Sequence, residues 1–97
     1  MQYTMFKSLS NLTPQAIASI IPKIAILEKK ELESYSYDGR DYQCLYRKYR
    51  LTGEYHGIVV EIDHTEEQFV ITVSCPSFGS FDRVLPNKTL PEWCKAK

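Results

Sequence analysis

Hydrophobic residues change their spacing once along this chain. Ile17, Ile20, Ile21, Ile24 and Leu27 recur at helical intervals, which puts one apolar stripe on a helix facing a core. Thr13 and Pro14 mark its start: the threonine oxygen accepts from free backbone N–H groups, and proline at the first helical position forfeits no hydrogen bond. Pro22 lies inside the pattern and predicts either a kink or a break, the latter followed by a second helix, PKIAILEKKELE.

From Glu33 onward the period is two, and Tyr, Val, Ile and Thr dominate. Asp38-Gly39, Thr52-Gly53 and the polar run from His64 to Glu67 punctuate it. Asp-Gly between two alternating runs signals a hairpin, because both residues tolerate the positive φ of a type I′ turn. Strands follow near 32–37, 40–50, 55–63 and 68–75, with Phe81 to Leu85 as a possible fifth and Pro91-Glu92-Trp93 as a possible terminal helical turn.

A slip of one residue would turn every side chain of a strand to the other face, so the register can be tested against hydrophobicity. A turn centred on Thr65-Glu66 pairs Ile62 with Phe69, Val60 with Ile71, Ile58 with Val73 and His56 with Cys75. A turn centred on Thr52-Gly53 sets Leu45 opposite Val60, Arg47 opposite Ile58 and Tyr49 opposite His56, and the Asp38-Gly39 turn sets Leu32 beside Leu45. These residues form the core side. The opposite face then carries Tyr35, Tyr37, Tyr42, Cys44, Tyr46, Lys48, Arg50, Tyr55, Val59, Glu61, Asp63, Val70, Thr72 and Ser74, and so five of the seven tyrosines. It stays open unless the N-terminal QYTMF or the C-terminal FDRVLPNKTLPEWCK folds across it.

The expected fold is α+β: an N-terminal helix, kinked or broken at Pro22, on one face of a four- to five-stranded antiparallel meander. Ninety-seven residues suit a single compact domain over 1–97, irregular from about residue 86. Twelve basic against twelve acidic side chains, with 43% hydrophobic residues, argue against a disordered tail, a supercharged nucleic-acid binder and an acidic DNA mimic. The charge is nevertheless divided: eight basic and five acidic residues lie in 1–50, four and seven in 51–97, giving +3 and −3.

The apolar stretch from Ala16 to Leu27 is interrupted by Pro22 and Lys23 and falls short of the ~20 residues a membrane span needs. MQYTMFKSLSNLT lacks the pattern of a secretory signal, so the expected compartment is the cytoplasm. Cys44, Cys75 and Cys94, odd in number and without a CxxC pair, fit reduced thiols.

Candidate chemistry is sparse. His56 opposite Cys75 suggests a thiolate-imidazole pair, but both project toward the core side, where buried cysteine behaves as a small hydrophobe. Asp63, His64, Glu66 and Glu67 match no metal-loop spacing and read as a solvated hairpin tip. No Gly-rich phosphate loop, GxSxG, HExxH or EF-hand pattern is present. No catalytic residue, metal or cofactor is therefore expected. The run Tyr46-Arg47-Lys48-Tyr49-Arg50 interleaves cations with aromatics as nucleic-acid binders do, yet in a strand it divides between the two faces.

The tyrosine array carries the functional expectation, since tyrosine brings large contact area at low rotamer entropy and is enriched in binding hot spots. The sequence thus predicts a non-catalytic protein-binding module of inhibitor, immunity or adaptor type. Its partner-binding residues are Tyr35, Tyr37, Tyr42, Tyr46, Lys48, Arg50 and Tyr55. The alternative is a nucleic-acid-binding face using Lys48 and Arg50.

Overall fold

The computed structural model describes residues 2–95. Its elements are α1 (Gln2–Ser10), α2 (Pro14–Ile24), β1 (Ala25–Tyr37), β2 (Arg40–Leu51), a 3-10 turn (Gly53–Tyr55), β3 (Val59–His64), β4 (Gln68–Cys75), β5 (Gly79–Pro86), a second 3-10 turn (Asn87–Thr89) and α3 (Glu92–Lys95). The strands form one antiparallel meander in the order β1-β2-β3-β4-β5, and the helices pack on one of its faces. This is the α+β architecture that the two periods predict.

Thr13 caps α2 as its chemistry demands, its hydroxyl accepting from the Ala16 N–H at 3.1 Å. Ile17, Ala18 and Ile21 form the buried stripe. Pro22 offers no N–H to the Ala18 carbonyl one turn back, yet the helix runs through it to Ile24. The indole N–H of Trp93 donates to that same carbonyl at 2.8 Å, so α3 supplies the missing hydrogen bond. The helix then stops where the Ile24 carbonyl accepts from both the backbone N–H (2.8 Å) and the hydroxyl (3.1 Å) of Thr52.

The second helix expected over PKIAILEKKELE does not form: Ala25 onward is strand. Leu, Lys and Glu favour helix by only a few tenths of a kcal/mol per residue, and pairing of Ala25 with Leu51 and Leu27 with Tyr49 outweighs that. A bulge at Glu28, between Leu27 and Lys29, takes up one extra residue. At the far end, Asp38 (φ 52°) and Gly39 (φ 76°) make the two-residue turn that Asp-Gly predicts.

Leu32 pairs with Leu45 as expected. The other two hairpins differ from expectation by even shifts. Between β2 and β3 the partners are Leu45 with His64, Arg47 with Ile62 and Tyr49 with Val60, four residues away. Here the chain inserts the 3-10 turn, then Gly57 at φ 94°, before β3 begins at Val59. Between β3 and β4, Ile62 pairs with Ile71 and Val60 with Val73, two residues away. The turn sits one residue later than expected, because the Thr65 hydroxyl accepts from the N–H groups of Glu67 and Gln68. Even shifts leave the strand-paired residues on their expected faces, and Ile58, Val60, Ile62, Phe69, Ile71 and Val73 are buried beneath the helices.

Both termini join that layer. Leu9 of α1 is buried, Phe6 meets Phe81 with ring centroids 5.3 Å apart, and Arg83 donates to the Ser10 carbonyl at 3.0 Å. Trp93 lies edge-on to Tyr49 and Phe69, and Cys94 and Leu90 are buried. Arg47, on the core side as its parity requires, is buried and donates to the Cys94 carbonyl at 3.4 Å. Among the described residues, neither terminal segment crosses the opposite face. Among the described residues no helix is long and apolar enough to cross a membrane.

Candidate functional site

The uncovered face collects the outward-pointing positions of all five strands. Tyr35 and Tyr42 are direct cross-strand partners on the β1-β2 hairpin, and their rings stack at 5.4 Å with 18° between planes. The Arg40 guanidinium lies 5.4 Å from the Tyr42 ring, and Tyr37, opposite Arg40, is 71% exposed. Within the stack Tyr35 is 48% exposed and Tyr42 partly buried. Three aromatic rings and one cation therefore form a solvent-facing group at the hairpin's end.

Toward the middle of the sheet the same face is electrostatically engaged. The Tyr46 hydroxyl donates to Glu61 Oε2 at 2.5 Å. That bond raises the Tyr46 pKa to about 12, helped by burial and by the nearby charges of Glu61, Asp63 and Glu31. Lys48 pairs with Glu61 across β2 and β3, and Arg50 Nε lies 3.3 Å from Glu28 Oε2. Next along, the Cys44 thiol donates to Asp63 Oδ1 at 3.7 Å; burial, then the Asp63 charge, pushes its pKa up.

Of the seven residues expected to bind a partner, Tyr35, Tyr37 and Tyr42 come together at the hairpin's end. Tyr46, Lys48 and Arg50 share their face, but Tyr46 and Arg50 are bonded to Glu61 and Glu28, and Lys48 stands opposite Glu61 across the strands. Tyr55 departs from expectation. It ends the 3-10 turn after β2 and packs against the core, because β3 starts four residues later than a tight hairpin would allow. Residues that the expected site omitted are Arg40, from the far side of the turn, and Leu32, exposed on the hairpin's other face. The Asp-Gly turn implied both positions, since it carries the strands past the reach of the helices.

The expected pairing of His56 with Cys75 is absent: His56 follows the 3-10 turn outside β3, and Cys75 pairs with Gly79. Burial pushes the Cys94 thiol up to about 12. All three cysteines are free. At the β3-β4 turn, Asn87 Nδ2 donates to the carbonyls of Thr65 (3.0 Å) and Glu66 (2.7 Å), fixing the tip to the segment after β5. Among the described residues, no group of three or more His, Cys, Asp or Glu side chains converges to hold a metal ion.

Comparison of the chain with protein-family models, with curated proteins and with solved structures gave no match.

Proposed function

We propose that the protein is a non-catalytic binding module of inhibitor, immunity or adaptor type, engaging a larger protein through the aromatic end of its β1-β2 hairpin and the adjoining open face. The stacked pair of half-exposed Tyr35 and partly buried Tyr42 carries this reading. A pair of rings held rigid by a positive-φ turn, without a role in the core, offers contact area that costs little ordering on association. Lys48 and Arg50 lie further along β2 on the same face, where charges govern the rate of encounter more than its strength. Three free cysteines are compatible with a reducing, cytoplasmic setting. Glu28, Glu61 and Asp63 around the cations weigh against phosphate recognition, which needs an uncompensated basic track.

The test begins with affinity capture of the partner from the native host. Binding and thermal unfolding are then measured on the same variants. Tyr35→Ala and Tyr42→Ala should each weaken binding by about 2 kcal/mol, roughly thirtyfold, while the domain stays folded. Lys48→Glu with Arg50→Glu should mainly slow association. A partner indifferent to both tyrosines overturns the reading, and steep loss of binding with added salt would favour nucleic acid.

A further inference from the structure

β1 ends the sheet. It bonds to β2 on one side, and from Ile26 to Tyr37 its residues are exposed. The turn decides which backbone groups this leaves over. In a two-residue hairpin the flanking residues, Tyr37 and Arg40, form a hydrogen-bonded pair, and pairs alternate from there. Tyr35, Glu33 and Glu31 therefore turn their N–H and C=O groups toward β2. Lys30, Leu32, Ser34 and Ser36 turn theirs outward. Past the bulge at Glu28 this run is regular and contains no proline, whereas the opposite edge, β5, closes on Pro86. An uncovered edge of this kind is a template for another strand.

The side chains along the edge specify what kind of strand. Glu31 and Glu33 occupy successive outward positions on the open face, followed by Tyr35. Leu32 stands between the two glutamates on the other face, 64% exposed. We propose that Lys30 to Ser36 take up an extended segment of a partner protein by strand addition. That segment carries basic side chains opposite Glu31 and Glu33 and an apolar side chain opposite Leu32. The inference rests on the reading of the protein as a binding module and names the partner's chemistry. A second copy fits less well. Antiparallel self-pairing centred on Lys30, Glu31 or Glu33 sets that charge against itself at the twofold axis, centring on Leu32 sets Glu31 against Glu33, and centring on Ser34 avoids like charges but leaves Glu33 and Glu31 opposite Tyr35 and Tyr37 instead of a cation. In the first two registers this offsets part of what Lys29 gains against Glu31 or Glu33.

The probe is the capped peptide Thr-Val-Thr-Lys-Val-Lys-Thr, whose lysines fall opposite Glu33 and Glu31 when it lies antiparallel to Lys30 to Ser36. Titrated into the isotope-labelled full chain, it should give saturable amide shifts confined to β1 and its neighbours. N-methylation of the second valine, which faces Leu32, should abolish them. Ser34→Pro should abolish binding and leave the hairpin intact, because the lost N–H points away from β2. Glu31→Lys with Glu33→Lys should lower affinity about tenfold and shift preference to the peptide with Glu in place of Lys. Absence of saturable binding at millimolar peptide, unchanged binding by Ser34→Pro, or self-association through residues 30–36 overturns the proposal. With the captured partner, loss of binding in Tyr42→Ala but not in Ser34→Pro refutes strand addition alone. Indifference to both refutes the binding-module reading as well.

Discussion

Val60, Ile62, Ile71 and Val73, in the middle of the sheet, are almost wholly excluded from water, whereas Leu32, Tyr35 and Tyr37 on β1 keep about half or more of their surface in it. The strands concerned belong to one meander and share one alternation. What differs is the layer above them: α1, α2 and α3 cover β3, β4 and the near half of β2, and among the described residues no helix covers the distal hairpin. In the covered part alternation is set by burial, at about 25 cal/mol per Å² of apolar surface removed from water. In the hairpin it is set by the Asp38-Gly39 turn and by cross-strand pairs of a few tenths of a kcal/mol each. Stability thus draws on the covered residues, and the proposed binding on others.

Substitutions can break that division, and the largest effects belong to the covered part. Ile71→Ala should destabilise the domain by about 2 to 4 kcal/mol in a denaturant titration, against well under about 1 kcal/mol for its neighbour Thr72→Ala on the open face. Comparable costs would refute the face assignment. Trp93→Phe leaves the Ala18 carbonyl without its donor and should cost about 1 to 3 kcal/mol. Adding Pro22→Ala restores a backbone N–H to that carbonyl and should recover part of the loss; strictly additive effects would mean the indole does not substitute for the proline's missing group. On the hairpin, Tyr42→Ala should cost less than about 1 kcal/mol in thermal unfolding.

The smallest effect is a pH dependence. Tyr46 ionises in the unfolded chain near the ordinary tyrosine value of 10 and in the folded one at about 12. The folded state therefore holds the proton more tightly. The resulting stability is present in full below pH 10 and is lost as pH rises toward 12. Tyr49 and Cys94, both raised chiefly by burial, act in the same direction. Tyr46→Phe should flatten the alkaline decline of melting temperature without abolishing it. An unchanged slope would show that the bond to Glu61 does not distinguish folded from unfolded tyrosine.

The faces of the sheet were legible in the sequence because period two is robust to any even error in register. Shifts of four residues at β2-β3 and two at β3-β4 moved partners without moving a side chain to the wrong side. Tyr55 and His56 were misplaced for the complementary reason: a 3-10 turn has no period-two signature, and Tyr55 reads equally well as strand. The start of β1 was hidden by residues that favour helix when isolated, and only the pairing with β2, distant in sequence, reverses that preference. α1 carried a readable signal in Met5, Phe6 and Leu9, whose spacing is helical and which all meet the core. Exposure of the hairpin followed from strand lengths, since β1 and β2 run to 13 and 12 residues against 6 and 8 for β3 and β4.

Trp93 is the chain's single tryptophan, and its indole is held between the Ala18 carbonyl, Tyr49 and Phe69. The hairpin end carries only tyrosines. Indole emission therefore follows the seam between α3 and α2 alone, whereas the tyrosine signal mixes the β1-β2 rings with Tyr49 and Tyr55 in the core. Loosening of the helical layer can thus be followed without any label attached to the protein, and the hairpin's share of the tyrosine signal is the part lost in Tyr35→Ala and Tyr42→Ala.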